Sequence, residues 1–181
     1  MKMALSFAAV VVASMLSASH AAKFTLSSLT VADGHTLPEI HVYNDYGCTG
    51  ANRSPELSWS GAPAGTKSFA VTVHDPDAPH DGGWWHWIAF DMPANVSRLP
   101  EGAGNGAGLP AGAVEGLTDS GEPGYGGACP PPGKPHRYVF AVTALKGAKL
   151  GLNADAAPAA VDAAIARNRL GKATITALYG R

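Results

Sequence analysis

The sequence of 181 residues carries little charge: only 15% of its residues are charged, and the formal net charge is −1. It has no run of basic residues, so we set aside a nucleic-acid partner. Glycine and proline are by contrast abundant, with 22 and 14 residues. Low charge together with many turn-forming residues is typical of a compact, loop-rich β protein. Disorder would require high charge and few strand-like segments, and strand-like segments recur along this chain.

Motifs of several enzyme classes are also missing. The sequence contains no Gly-x-Ser-x-Gly stretch, which would present an activated serine, and no His-Glu-x-x-His zinc motif. Residues 99–125 are rich in glycine but lack the Lys-Ser/Thr ending of a phosphate-binding loop. We interpret them as a long surface connection, which in a compact domain often marks a functional loop. The sequence therefore predicts a protein that is not an enzyme and needs no cofactor.

The one long apolar run lies at the N-terminus. Lys2 precedes the apolar residues 3–16, and a small-x-small cleavage pattern ends at Ala21. The run is too short to span a bilayer comfortably. We predict a signal peptide over residues 1–21 and one mature domain over residues 22–181, periplasmic or secreted, with no transmembrane segment left after cleavage. An uncleaved anchor is the alternative.

Only two cysteines are present, Cys48 and Cys129. Two thiols are too few for a cysteine-based zinc site. An even number of cysteines in an exported chain favours one disulfide, here between Cys48 and Cys129. Two unpaired thiols are the alternative.

Alternating apolar residues predict a mainly antiparallel β-sandwich with one late helix. The helix is predicted to begin at Pro158, to carry an apolar stripe of Val161, Ile165 and Leu170, and to end at Gly171. The segments predicted as strands are 24–31, 37–43, 57–59, 68–74, 84–93, 137–145 and 172–179.

Three polar clusters can converge on one site. Asp75 and Asp77 follow a strand on a loop stiffened by proline. His86 lies within the most aromatic strand. His136 and Tyr138 are two residues apart, so their side chains leave the same face of one strand.

These groups suit the capture of a small anion. Imidazoles, a phenol and the backbone N–H groups of Ala128 and Cys129 can all donate hydrogen bonds to an oxyanion. A carboxylate beside a histidine favours the charged imidazole, so we expect anion affinity to fall between about pH 6 and 8. We interpret Arg137 as a structural ion-pair former. The histidines predicted to be surface or turn residues are His20, His35, His41 and His80.

Less specific roles stay open for each cluster. The two aspartates can simply cap turns, and a histidine at a strand start can be exposed and idle. Two histidines and two aspartates can also bind a metal, so a metal-dependent hydrolase is an alternative. A module that recognises a partner protein is another.

At these residues the sequence resembles the phosphatidylethanolamine-binding protein (PEBP) family, and more closely its bacterial Raf-kinase-inhibitor-like branch. The segments that carry the resemblance are 54–59, 75–79, 83–87, 124–127 and 130–138. The resemblance implies a two-sheet Greek-key fold and a non-catalytic pocket for phosphate or a phospholipid headgroup. In family terms the residues that line the pocket are Asp75, Asp77, Ala78, Pro79, His86, Pro131, His136 and Tyr138.

One position departs from the family pattern. Ala128 and Cys129 fill the place of a glycine-type residue that donates a backbone N–H to the ligand. If Cys129 is bonded to Cys48, the loop of residues 46–50 would be held against the rim of the pocket. Kinase inhibition is not carried over, because it needs a eukaryotic kinase as partner.

Overall fold

The computed structural model describes residues 22–106 and 108–181, and the predicted signal peptide lies outside these ranges. The described chain forms two antiparallel sheets and one α-helix. The predicted class, a mainly antiparallel β-sandwich with one late helix, is confirmed.

The larger sheet has five strands: β3 (Ser68–Asp75), β4 (Trp84–Pro93), β6 (Val114–Glu115), β7 (His136–Leu145) and β8 (Arg169–Tyr179). Their order across the sheet is β6-β4-β3-β7-β8. The central strand, β3, is almost wholly buried, because apolar layers cover both faces of the sheet.

The smaller sheet has three strands: β1 (Thr25–Ser27), β2 (Leu57–Ser60) and β5 (Arg98–Leu99). The main core lies between the two sheets, where the ring of Trp59 meets that of Phe69 edge-on at 5.4 Å. Interlocked aromatic rings of this kind fix the distance and orientation of the sheets.

The α-helix α1 (Pro158–Asn168) covers the other face of the larger sheet. It ends earlier than the sequence predicts, because β8 starts at Arg169 without an intervening loop. Leu170, predicted to complete the apolar stripe of the helix, is instead 39% exposed in that strand. None of the helices in the described part of the chain has the length and apolar character that a bilayer crossing requires.

Two of the predicted early strands are wrong in whole or in part. Of residues 24–31, only Thr25–Ser27 pair in a sheet. Residues 37–43 contain a 3-10 helix, Glu39–His41, in place of a strand. Pro38 has no N–H to contribute to a sheet, and its carbonyl accepts the N–H of His41.

His41, predicted to be a surface or turn residue, lies in this 3-10 helix but is fully buried. Its ring nitrogens hydrogen bond the hydroxyl of Thr30 at 2.8 Å and the carbonyl of Arg53 at 2.7 Å. Burial lowers its pKa. The ring therefore acts as a neutral link between two loops.

Candidate functional site

Antiparallel pairing brings the polar clusters to one end of the larger sheet. β3 ends at Asp75, opposite Trp84 at the start of β4. β7 pairs with the other edge of β3, also in antiparallel register, so its first residue, His136, reaches the same end. His86 lies two residues into β4. The proximity of these residues therefore follows from strand order.

A cavity of about 460 Å³, which we call the histidine cavity, opens there. The predicted site residues that line it are Asp75, Ala78, Pro79, His86, Cys129, Pro131, His136 and Tyr138. Six further residues, not predicted from the sequence to be part of the site, also line it: Tyr46, His80, Trp84, Asp119, Ser120 and Pro130. Of these, His80 had been predicted to be a surface or turn residue, and it is exposed; its ring lies 4.8 Å from that of Trp84.

Asp75 fixes the orientation of His136. The carboxylate of Asp75 is buried, and its Oδ2 accepts a hydrogen bond from His136 Nδ1 at 2.7 Å. Its Oδ1 accepts the backbone N–H of Asp77 at 2.8 Å. Because Nδ1 is committed to Asp75, Nε2 is the nitrogen of His136 left for a ligand.

Asp77, expected to line the pocket, lies outside the histidine cavity and lines a neighbouring surface depression with Pro131 and His136. Its carboxylate forms a two-point ion pair with Arg137, with N–O distances of 2.9 and 2.8 Å. It also accepts the backbone N–H of Arg137 at 2.9 Å. These hydrogen bonds lower the pKa of Asp77 to about 2, and the guanidinium of Arg137 has the largest effect. The pair ties the loop after β3 to β7, as predicted for Arg137.

Gly83 closes the same loop on its other side. Its φ of +83° lies in the left-handed region, and a Cβ there would come within 2.4 Å of the Asp75 carbonyl oxygen. Only glycine allows the chain to return this closely to the end of β3. The turn therefore delivers Trp84 and His86 to the cavity.

His86 is neutral at pH 7, in contrast to the charged form expected from the sequence. Its Nδ1 lies 2.9 Å from the carbonyl of Gly126, which can only accept, so Nδ1 carries the proton. Burial lowers the pKa of His86 to about 4 and outweighs the opposing effects of Gly126 and Asp75. Nε2 of His86 therefore carries a lone pair, and within the described residues it has no protein partner.

Tyr138 packs edge-on against His86, with 5.1 Å between ring centroids. Burial and the neighbouring Asp75 raise the pKa of its phenol, while a hydrogen bond from the Cys129 backbone lowers it. The phenol stays protonated and can donate into the cavity.

The disulfide between Cys48 and Cys129 forms as predicted, across 81 positions of sequence. It holds the loop with Tyr46 at the cavity rim, where Tyr46 adopts a φ of 54°. Ala128 lies behind that rim: it is 1% exposed and its carbonyl accepts the N–H of Tyr43. Ala128 was expected to be a ligand-binding residue, but it does not line the histidine cavity.

A second cavity of about 350 Å³, which we call the tyrosine cavity, adjoins the first. The residues that line both cavities are Tyr46, Trp84, His86, Ser120 and Cys129. The tyrosine cavity alone is lined by Tyr43, Asn52, Thr118, Glu122, Pro123, Gly124, Tyr125, Gly126 and Gly127. Much of its wall thus comes from the end of the glycine-rich stretch 99–125 and the residues directly after it. Across the described residues, no group of three or more His, Cys, Asp or Glu side chains is placed to hold a metal ion.

The fold and the site define a two-sheet β protein with two adjoining cavities at one end of its larger sheet. The family model described as phosphatidylethanolamine-binding protein matches residues 27–180. The chain belongs to this family of binding proteins, as the sequence resemblance implied.

Named relatives agree. The chain is 49% identical to the UPF0098 protein YbcL of Escherichia coli over 162 residues, 88% of each chain. It is 44% identical to the UPF0098 protein YbhB of the same organism, over 85% of this chain and 98% of YbhB.

Solved structures agree as well. The crystal structure of Escherichia coli YbcL, described as a member of the mammalian PEBP family, superposes with a TM-score of 0.86 at 48% identity. That superposition covers 88% of this chain and 99% of YbcL. The PEBP homolog CT736 of Chlamydia trachomatis gives 0.73 at 31% identity, over 87% of this chain and 97% of CT736.

Proposed function

We propose that this protein binds a small phosphate-type anion in the histidine cavity, free or as part of a phospholipid headgroup, and that it does so without catalysis. The observation that supports this most is the grouping of His136, Tyr138 and His86 around one cavity. The family name, which refers to a phospholipid, points to the same ligand chemistry.

His136 and Tyr138 supply the donors. A bound anion stabilises the charged form of His136, whose Nε2–H then donates to it while Nδ1–H stays on Asp75. Tyr138 adds a neutral donor held in place by its contact with His86. Charge-assisted hydrogen bonds of this type contribute roughly 1.5–3 kcal/mol each.

His86 adds a condition on the ligand. Its Nε2 accepts hydrogen bonds, so the ligand must offer a donor that faces it: a proton on the phosphate itself or, in a phosphodiester such as a phospholipid headgroup, a donor on the attached group. Hydrogen phosphate and singly protonated phosphomonoesters have such a proton near neutral pH, and sulfate has none. A buried acceptor left unpaired costs about 1–3 kcal/mol, so the site selects phosphate over sulfate.

We also propose that the protein is exported and acts in the periplasm or outside the cell. The Cys48–Cys129 disulfide supports this, because such bonds persist in oxidising compartments.

Isothermal titration calorimetry with inorganic phosphate tests the proposal on the wild type, His136→Gln and His35→Gln. His35 is the matched control, because it is an exposed turn histidine bonded to the Asp33 carbonyl. We expect His136→Gln to weaken phosphate binding by at least about tenfold, from the loss of one charge-assisted bond. His35→Gln should leave the affinity unchanged. Absence of phosphate binding to the wild type, or equal affinity in both variants, would overturn the proposal.

A further inference from the structure

The tyrosine cavity has no role in the capture of the anion, yet it opens directly beside it. Trp84 and His86 line both cavities, so a ligand that contacts these rings can extend from one cavity to the other. Each cavity is within the size range of small-molecule sites, and a bare phosphate would leave most of this space empty.

The chemistry of the tyrosine cavity differs from that of its neighbour. No lysine or arginine of the described chain lines it, and the carboxylate of Glu122 does, so a second anionic group is disfavoured. Its remaining polar groups are uncharged: the amide of Asn52 and the hydroxyls of Thr118, Ser120 and Tyr43. Such a mixture of donors and acceptors matches alcohol groups, each of which both donates and accepts.

Three of these polar groups are already held in place. Asn52 Oδ1 accepts the backbone N–H of Gly127 at 2.7 Å, which fixes the amide against the cavity wall. The hydroxyls of Ser120 and Thr118 are 2.7 Å apart, and Thr118 also donates to the Glu122 carbonyl at 2.9 Å. Positioned groups lose little entropy on binding.

Aromatic rings form part of the rest of the wall. The rings of Tyr43 and Tyr46 are stacked, with centroids 6.0 Å apart and planes within 12°. Gly127 allows the chain to pass directly beside Tyr43, because a Cβ at position 127 would come within 2.5 Å of the Tyr43 backbone nitrogen. Aromatic faces can pack against the C–H groups of a sugar or polyol, while the fixed polar groups beside them hydrogen bond its hydroxyls.

We infer that the tyrosine cavity receives the hydroxyl-bearing remainder, a glycerol or sugar unit, of a ligand whose phosphate occupies the histidine cavity. This inference rests on the proposed function and names its ligand class: phosphorylated polyols and sugars.

Calorimetric titration with five probes tests it: inorganic phosphate, ethyl phosphate, phosphoethanolamine, glycerol 3-phosphate and glucose 6-phosphate. We expect at least one of the two hydroxylated phosphates to bind about tenfold or more tighter than inorganic phosphate. Ethyl phosphate should bind more weakly than that hydroxylated phosphate, because it has no hydroxyls for the uncharged groups of the wall. Phosphoethanolamine should also bind more weakly, because its ammonium finds one carboxylate, Glu122, among groups that are otherwise uncharged. The comparison of the two hydroxylated probes tells a glycerol unit from a sugar ring.

Two variants localise the gain. Glu122→Ala removes an exposed cavity carboxylate, and Glu101→Ala is the same change at a glutamate outside both cavities. Loss of one hydrogen bond should weaken the hydroxylated phosphate about fivefold in Glu122→Ala and leave inorganic phosphate unchanged. Glu101→Ala should alter neither.

The possible results separate the two proposals. If inorganic phosphate binds but neither hydroxylated probe binds more tightly, or the gain survives in Glu122→Ala, the inference fails and the proposed function stands. The inference is also overturned if ethyl phosphate or phosphoethanolamine binds more tightly than both hydroxylated phosphates. If no probe binds, both proposals fail.

Discussion

The disulfide should carry a large part of the stability of this domain. Cys48 and Cys129 are separated by 81 positions, so the bond restricts a long stretch of the unfolded chain. In the chain-entropy model, a loop of this length corresponds to about 4.5 kcal/mol at 25 °C. In a domain of this size, 1 kcal/mol shifts the melting temperature by roughly 2–4 °C, so the double variant Cys48→Ala/Cys129→Ala should melt roughly 9–18 °C lower.

Urea unfolding followed by tryptophan fluorescence measures this effect as a free energy. The wild type, the wild type reduced with a thiol reagent and the double variant should be compared, because the last two lose the same constraint by different routes. We expect both to unfold at a lower urea concentration than the oxidised wild type. A change below about 1 kcal/mol in both would refute the reasoning, and would mean that the unfolded chain remains compact without the bond.

Three further outcomes are expected. Burial lowers the pKa of both His41 and His86, so the unfolded state binds more protons than the native state at acid pH. The contribution of the two neutral rings to the free energy of unfolding is therefore complete above about pH 6.5 and is lost as the pH falls towards 4. His86 alone should contribute about 3 kcal/mol to this loss, and urea midpoints that stay constant from pH 7 to 4 would contradict it. At pH 7, sulfate should bind at least about fivefold more weakly than phosphate in calorimetry, and equal affinities would show that His86 is not an acceptor in the site. Arg137→Gln should cost at most about 1 kcal/mol in urea unfolding, because its ion pair with Asp77 is exposed, and should change phosphate affinity less than His136→Gln does; a larger effect on affinity would place Asp77 in the site.

Strong local patterns predicted most of the fold correctly. The alternation in residues 68–74, 137–145 and 172–179 corresponds to β3, β7 and β8 within a few residues. The meeting of the polar clusters could also be predicted, because they adjoin strand ends and match a family signature.

The differences arose where tertiary contacts overrode local pattern. Residues 37–43 have strand-like composition, but Pro38 and the buried hydrogen bonds of His41 favour a 3-10 turn. The periodicity of the helix continues to Leu170, yet pairing of Arg169 with Leu145 ends it earlier.

Within the site, the sequence could not show which way side chains turn or how deeply they are buried. Asp77 directly follows Pro76 in the family signature, but its ion pair with Arg137 holds it outside the histidine cavity. His86 is close to a carboxylate, which favours charge, but burial has the larger effect. The tyrosine cavity was missed because most of residues 99–125 carry no binding motif; the length of that stretch and the family-like segment 124–127 were the available signals.

The central claim is that His86 and His136 contact one bound phosphate, and imidazole ¹⁵N NMR of the labelled protein tests it directly. Without ligand at pH 7, the spectrum should show His86 protonated at Nδ1 only. Saturating inorganic phosphate should then shift the Nε2 signals of both His86 and His136 and leave His35 unmoved. Unchanged Nε2 signals for both rings at saturation would contradict the account.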